Sequence, residues 1–182
     1  MVRASRPAMP SDDLDAARAA GGAVAAGGPV TRELADFCQS GVSVVAGTCA
    51  ADGWPIAVHG CGCRIDETGA VRVLVQRGRC LPALDALAAG AGIAATFSRP
   101  TDHRSIQLKA GRATVAAADA ADGATAERQG AAFRAVLEGV GFPPAFTAPF
   151  TDHDAADLAA IVFVPEEAFV QTPGPGAGSA LR

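Results

Sequence analysis

The stretch between residues 93 and 111 constrains the fold of this chain more than any other. It contains an apolar run that ends at Phe97, a polar loop with Pro100, and a second segment that ends before Gly111. Residues 105–109 alternate strictly between polar and apolar side chains. Because successive side chains of a strand point to opposite faces, the apolar residues are predicted to face a core. The pattern therefore predicts an antiparallel pair of strands joined by a short loop.

The polar side of the second strand favours ligand binding over simple exposure to solvent. It carries Ser105, Gln107 and Lys109, and the preceding loop supplies His103 and Arg104. An ordinary solvated face would mix charged residues with threonine, whereas this row is rich in hydrogen-bond donors. The row is therefore predicted to bind a polar, anionic ligand, although a merely solvated sheet face remains the alternative.

Turn signals and apolar periodicity elsewhere predict further strands and three helices. Asp52-Gly53 and residues 66–69 are turn sequences between β-branched runs, which is typical of an antiparallel meander. Strands are predicted at residues 42–50, 56–65, 71–75 and 158–164, in addition to the pair between residues 92 and 116. Helices are predicted after Thr31, over residues 80–89 and over residues 123–140, with a loop around Pro149. Six strands with peripheral helices fit an antiparallel barrel or sandwich.

Composition limits the classes of protein to which the chain can belong. Its 182 residues suffice for one sizeable core, and no apolar run reaches the ~20 residues of a membrane span. The net charge is −4, Lys109 is the only lysine and tyrosine is absent, so nucleic-acid binding is not expected. Five cysteines without a signal-peptide pattern favour reduced thiols and a cytoplasmic location.

The chain also resembles a known family. The pattern Phe-Ser-x-Pro-Thr-x-x-Arg-x-x-Gln-Leu-Lys at residues 97–109, the strand-turn-strand at residues 42–66 and the closing residues 171–176 resemble the pyridoxamine 5'-phosphate oxidase-like, FMN-binding split-barrel proteins. The resemblance implies a six-stranded antiparallel split β-barrel with peripheral α-helices. It also implies a homodimer with FMN between the subunits. Residues 31–172 are expected to form this domain, after a flexible Ala/Gly-rich leader at 1–30 and before a tail at 173–182.

The resemblance places candidate cofactor contacts on this sequence. Flavin-facing positions fall after the third strand and on the fifth, and the basic residues near the strand ends are candidates for the phosphate. Two departures from the family pattern concern that phosphate: Arg64 is displaced to the end of the second strand, and the helix opens with Arg79-Cys80-Leu81 instead of a basic pair. The candidate cofactor-binding residues are Arg64, Val75, Gln76, Arg77, Arg79, His103, Arg104, Ser105 and Gln107.

A metal or haem site is a weaker alternative. His59, Cys61 and Cys63 are predicted to share one face of the second strand, and thiolate and imidazole are good metal ligands. Small cysteines on a glycine-kinked strand suit a core equally well, and no paired Cys-x-x-Cys occurs, so no metal site is assigned. The sequence also lacks a Gly-x-Ser-x-Gly elbow and a recognisable nucleophilic cysteine, so a hydrolase is not expected.

Two functional hypotheses follow. The first is a homodimeric, FMN-dependent oxidoreductase of unknown small-molecule substrate, with no catalytic residue assigned and negligible oxidation of pyridoxamine phosphate. The second is a non-catalytic dimeric barrel that binds another small anion, haem or nothing.

Overall fold

The computed structural model describes residues 29–181, so the predicted leader lies outside the described residues except for its last two positions. The described part contains four α-helices and nine strands. The helices are α1 (Arg32–Cys38), α2 (Arg77–Ala88), α3 (Ala120–Gly139) and α4 (Pro144–Thr151). The strands are β1 (Ser43–Cys49), β2 (Pro55–Gly60), β3 (Gly62–Ile65), β4 (Val71–Gln76), β5 (Ile93–Ser98), β6 (Ser105–Ala110), β7 (Thr114–Ala117), β8 (Leu158–Phe163) and β9 (Glu167–Val170).

The strands form two antiparallel sheets. One sheet has five strands in the order β2-β1-β5-β6-β9, and the other has four in the order β3-β4-β8-β7. The mainly β class with helices is therefore confirmed, whereas the count of six strands is not. The predicted strand at 56–65 is divided between the two sheets, and β7 and β9 are separate short strands that the apolar pattern did not resolve.

The chain passes from one sheet to the other at Gly60-Cys61-Gly62. Gly60 pairs with Val44 of β1, and Gly62 pairs with Leu74 of β4. Between them, the N–H of Cys61 donates to the carbonyl of Leu74 over 2.7 Å. A Cβ on Gly60 would lie only 3.0 Å from Cγ1 of Val44, so a side chain at the crossing would force the buried Val44 to shift.

A side chain of α3 serves as the hydrogen-bonding partner of the edge strand β3. Oε1 of Gln129 accepts from the N–H of Cys63 at 2.8 Å, and Nε2 donates to the carbonyl of Cys63 at 2.7 Å. Gln129 is buried, and a Cβ on Gly62 would lie 2.9 Å from Oε1. The amide thus replaces a neighbouring strand, since buried backbone groups must find partners.

An ionic cluster fixes the start of α3 against the same sheet. Asp119 and Asp122 form a capping box in which each carboxylate accepts the backbone N–H of the other residue. Asp122 is fully buried and also accepts from Nε of Arg72 at 3.1 Å. Arg64 binds Asp119 through both of its terminal nitrogens, at 3.2 and 2.9 Å. Arg64 and Arg72 therefore compensate the acidic helix start.

The predicted strand pair, β5 and β6, has the expected alternation. Ile106 and Leu108 lie in the core between the sheets together with Phe97 of β5, and each such burial stabilises the fold by about 1.5–3 kcal/mol. Gln107 and Lys109 are half-buried on the opposite face, whereas Ser105 is buried.

The first helix also agrees with the sequence. α1 has Thr31 as its N-cap, and Gly41 follows it at φ 79°, as predicted. A Cβ on Gly41 would lie 2.5 Å from that of Ala132, so close packing against α3 adds to the conformational reason for glycine.

The prediction of a loop around Pro149 was wrong, because α4 occupies residues 144–151. Pro144 stands in the first turn of that helix, where its missing N–H is tolerated. The hydroxyl of Thr147 lies 3.3 Å from Oε1 of Glu138 on α3, which helps to hold the two helices together.

The C-terminal segment returns along β9. The N–H of Gly178 donates to the carbonyl of Val170 at 2.7 Å, and the N–H of Leu181 donates to that of Ala168 at 2.8 Å. The segment predicted as a tail thus lies against the five-stranded sheet. Among residues 29–181, no helix is both long and apolar enough to cross a membrane.

Replacing Gln129 by leucine should destabilise the protein by about 3 kcal/mol, because two buried backbone groups of Cys63 lose their partners. Urea unfolding measures the change. Glu127→Leu, an exposed position on the same helix, is the matched control and should change the free energy of unfolding by no more than about 0.5 kcal/mol. Equal stability of the two variants would show that the amide pairing is not needed.

Candidate functional site

A cleft lies where β2, the junction of β4 with α2, and α4 meet. Its volume is about 340 Å³. This lies at the lower end of the roughly 300–1,000 Å³ of small-molecule sites, so the cleft can hold a small ligand or part of a larger one. Residues 57–59 line it from β2, Cys61 from the sheet crossing, Arg79 and Cys80 from α2, and Pro149 and Phe150 from α4.

One wall of the cleft is aromatic. The rings of His59 and Phe150 meet edge to face, with centroids 6.1 Å apart. Phe150 also continues a row of rings along α4 and the turn before it, because its centroid lies 5.1 Å from that of Phe146, which in turn stacks on Phe142 at 5.1 Å. All three phenylalanines are partly exposed. Phe150 therefore offers an aromatic face, with the edge of His59 beside it, to a ligand that enters from solvent.

The start of α2 supplies the positive charge of the cleft. Arg79 lines it and Arg77 lies two residues earlier, both exposed, and neither forms an ion pair with a residue of the described chain. The guanidinium of Arg79 is therefore available to an anionic group. Arginine suits phosphate and carboxylate because its planar fork binds two oxygens at once.

The segment between α4 and β8 already binds the junction of β4 and α2. Nε2 of Gln76 donates to the carbonyl of Asp154 at 3.0 Å, and the N–H of Asp154 donates to Oε1 of Gln76 at 2.9 Å. The N–H of Gly78 donates to the carboxylate of Asp157, with N···O distances of 3.2 and 3.1 Å. The predicted ligand donor at this junction, the amide of Gln76, thus has an internal partner, and so does the backbone N–H of Gly78 at the helix start.

The two thiols of the cleft are protonated at neutral pH. Burial and the neighbouring Cys80 raise the pKa of Cys61 to about 11, although Arg79 opposes this shift. Burial, followed by the charge of Asp157, also raises the pKa of Cys80. Because the thiolate is the nucleophilic form, this arrangement does not suit nucleophilic catalysis by cysteine.

The predicted residues of β6, Ser105 and Gln107, form a second group, on the five-stranded sheet. The hydroxyl of Ser105 lies 2.8 Å from that of Ser98, and Nε2 of Gln107 donates to the hydroxyl of Thr96 at 3.0 Å. None of the hydrogen bonds found in residues 29–181 joins this group to Gln76, and the group does not line the cleft. One copy of the chain therefore does not bring the two sets of candidates together.

The loop before β6 binds α1 through its basic residues. The guanidinium of Arg104 lies 4.7 Å from the ring centroid of Phe37 and 3.2 Å from a carboxylate oxygen of Glu33. Arg99 also lies over Phe37 and pairs with Asp102. His103 is exposed, and its φ of 61° makes it the one non-glycine residue of positive φ in the described chain.

Two further candidates lie away from the cleft surface. Arg64 belongs to the cluster with Asp119 and Asp122 that fixes α3. Val75 is fully buried in the core. Neither residue lines the cleft, so their predicted contact with a cofactor has no counterpart in that cavity.

His59, Cys61 and Cys63 do not share one strand face, contrary to expectation. The crossing at residues 60–62 turns Cys63 into the core, where its thiol donates to the carbonyl of Cys38 at 3.2 Å. His59 and Cys61 instead line the cleft. Within residues 29–181, no three His, Cys, Asp or Glu side chains are grouped so that they could hold a metal ion.

Sequence reasoning missed Phe150, Asp154 and Asp157 as residues of this region. The spacing of Phe142, Phe146 and Phe150 is a helical signal, which the prolines of α4 obscured. No local signal marks the contact of Asp157 with Gly78, because the two residues are 79 positions apart in the chain.

An FMN molecule would find part of its requirements in this cleft. The face of Phe150 suits stacking on a planar ring, and Arg79 suits a phosphate. The start of α2 would also suit a phosphate, but the N–H of Gly78 there already donates to the carboxylate of Asp157. The cleft therefore fits the cofactor through its ring wall and Arg79, while Asp157 opposes the phosphate.

No protein-family model matches the sequence, and no curated protein matches it. Several solved structures are similar. A protein from Lactobacillus delbrueckii, named as a candidate pyridoxamine 5'-phosphate oxidase, is 16% identical, with a TM-score of 0.49 over 77% of this chain and 93% of that one. A pyridoxamine 5'-phosphate oxidase-related, FMN binding protein from Nostoc punctiforme is 12% identical, with a TM-score of 0.43 over 78% and 82%.

A third similar structure comes from Clostridium acetobutylicum. It is a protein related to general stress protein 26 of B. subtilis, of the pyridoxinephosphate oxidase family. It is 15% identical, with a TM-score of 0.46 over 78% of this chain and 87% of that one. The names of these three proteins refer to the same family that residues 97–109 resemble in sequence.

Acid should destabilise the protein through His59. Burial lowers the pKa of this histidine, because it disfavours the imidazolium form. In the unfolded chain His59 has an ordinary pKa of about 6.5, so on acidification it binds a proton at a higher pH there than in the folded protein. The free energy of unfolding therefore falls as the pH falls through about 6.5. Urea unfolding of wild type and His59→Gln between about pH 7.5 and pH 5.5 measures the effect.

The His59→Gln variant should lose less stability than wild type on acidification. His103→Gln, which changes an exposed loop histidine, is the matched control. An unchanged pH dependence in His59→Gln would contradict the expectation.

Proposed function

We propose that this chain is an FMN-binding protein of the pyridoxamine 5'-phosphate oxidase-like split-barrel group and acts as a flavin-dependent oxidoreductase. The observation that carries the proposal is the cleft, in which Arg79, which forms no ion pair within residues 29–181, lies beside an aromatic wall. This combination suits a planar ring that carries an anionic group. The resemblance of residues 97–109 to the family motif supports FMN as that ligand.

The proposed roles of the residues follow from their chemistry. Arg79, with Arg77 nearby, would bind the phosphate, and Phe150, with the edge of His59 beside it, would contact the ring. When bound, the flavin would supply hydride or electron transfer. The protein would position the ring and exclude water from it, and no side chain of the cleft is assigned as an acid or a base.

A second copy of the chain is part of the proposal. Ser105 and Gln107 do not line the cleft of their own chain, so a dimer is needed for them to contact the same flavin. The outer face of the five-stranded sheet is suited to pairing, because it carries Gly47, Ala57 and Ala94 around the exposed Val45. Small side chains allow two sheets to approach closely. A cytoplasmic location, with reduced thiols, completes the proposal.

A non-catalytic barrel that binds another anion or haem is the second candidate. It is favoured by the internal pairing of several predicted cofactor contacts. Arg64 binds two aspartates, Arg104 binds Glu33, and the start of α2 already carries Asp157. His59, which faces the cleft, would be the candidate haem ligand.

Protein purified without added cofactor is expected to bind FMN and to show a two-band flavin spectrum. Replacing Arg79 by glutamine should weaken FMN binding by about tenfold, because a charge-assisted contact to phosphate is lost. Riboflavin, which lacks the phosphate, should bind both proteins alike. Fluorescence titration measures both dissociation constants.

Arg112→Gln, an exposed arginine outside the cleft, is the control for Arg79→Gln. A wild-type protein that leaves FMN unbound would favour the non-catalytic barrel. Rapid oxygen uptake with pyridoxamine phosphate would contradict the expectation of negligible activity on that substrate.

The combined substitution Ser105→Ala and Gln107→Ala should weaken flavin binding severalfold, since it removes hydrogen-bonding groups from the polar row. Thr114→Ala on the other sheet is the control. Unchanged affinity in the folded double variant would remove these two residues from the site. A monomer by light scattering would contradict the dimeric part of the proposal.

A further inference from the structure

Asp157 places a carboxylate on the first turn of α2. Its two oxygens lie 3.2 and 3.1 Å from the backbone nitrogen of Gly78, and a Cβ on Gly78 would lie 3.4 Å from Oδ2. The carboxylate thus lies directly against the backbone between Arg77 and Arg79. In the described chain Asp157 takes part in no ion pair, so this backbone contact is the one that orients it.

The segment that carries Asp157 is held by an independent contact. The amide of Gln76 exchanges two hydrogen bonds with the backbone of Asp154, three residues before Asp157. Asp154 in turn caps the short 3-10 turn that ends at Asp157, by accepting from the N–H of Ala156 at 2.9 Å. The position of the carboxylate is therefore set by the fold as well as by its own hydrogen bond.

The carboxylate also acts on the cleft itself. Its charge raises the pKa of Cys61 and Cys80, the two thiols that line the cleft, so the electrostatic field of Asp157 extends into the cavity. Asp152, which also lines the cleft, is neutralised by its ion pair with Arg134. Among residues 29–181 Asp157 has no such partner, so its carboxylate is an unpaired negative charge beside the first turn of α2.

We propose that Asp157 is a selectivity residue that competes with the phosphate of the bound flavin for the first turn of α2. The inference rests on the proposed function. Arg79 directly follows Gly78, so a phosphate bound by Arg79 at the first turn of α2 would approach the carboxylate. Two neighbouring anions repel each other strongly in a partly buried site. FMN must therefore displace Asp157 or bind beside it, whereas riboflavin, the same ring without the phosphate, meets no such repulsion.

The test compares FMN and riboflavin on variants of Asp157. Asp157→Asn keeps an oxygen that can accept from Gly78 and removes the charge, so it should bind FMN about tenfold more tightly than wild type. Riboflavin should bind both proteins with affinities equal within about twofold. Asp157→Glu, which keeps the charge, should retain the weaker FMN binding.

Asp85→Asn is the matched control, because it removes an exposed carboxylate from the same helix, two turns beyond its start. Its affinity for FMN should equal that of wild type. Thermal unfolding checks that each variant is folded, and Asp157→Ser supplies a second neutral side chain if the asparagine variant is unstable.

The outcomes separate this inference from the proposed function. A gain for FMN alone in Asp157→Asn supports the inference. FMN that binds wild type and Asp157→Asn equally, or an equal gain for riboflavin, overturns the inference and leaves the flavin-binding function intact. Absence of binding of both flavins to every variant overturns the proposed function, and the inference with it.

Discussion

The crossing of the chain between two sheets at Gly60-Cys61-Gly62 is the constraint on which the rest of the structure depends. A strand that changes sheets loses a neighbour on one side, and the amide of Gln129 replaces that neighbour for Cys63. The same crossing points Cys63 into the core and leaves His59 and Cys61 at the cleft. A single backbone turn thus sets both the layering of the sheets and one wall of the candidate site.

In the candidate site, an external ligand would compete with residues of the same chain for hydrogen-bonding groups. The polar groups that could bind an anion are the groups that folding also uses, as Gln76 and Gly78 illustrate. Arg79 differs because no acidic side chain of the described chain pairs with it. On the proposed function, ligand binding at this cleft depends on Arg79, on the aromatic wall beside it and on the charge of Asp157.

Local signals predicted the elements that depend on local chemistry. Thr31 and Gly41 bound α1 because capping and left-handed backbone are properties of a few neighbouring residues. Residues 105–109 alternate as expected because strand periodicity is set by backbone geometry. The same reasoning failed at α4, where two prolines in a helix imitate a loop, and at residues 56–65, where one apolar run serves two sheets.

The sequence by itself determined the mainly β class, the two ends of α1 and the polar row that includes Gln107, because each depends on residues that are neighbours in the chain. Tertiary structure decided which of the candidate residues meet. It paired Arg64 with Asp119, 55 positions away, and placed Asp157 on Gly78, 79 positions away. Such contacts depend on the path of the chain between the two sheets. No spacing in the sequence encodes that path, because long-range pairing is selected by the packing of the whole core.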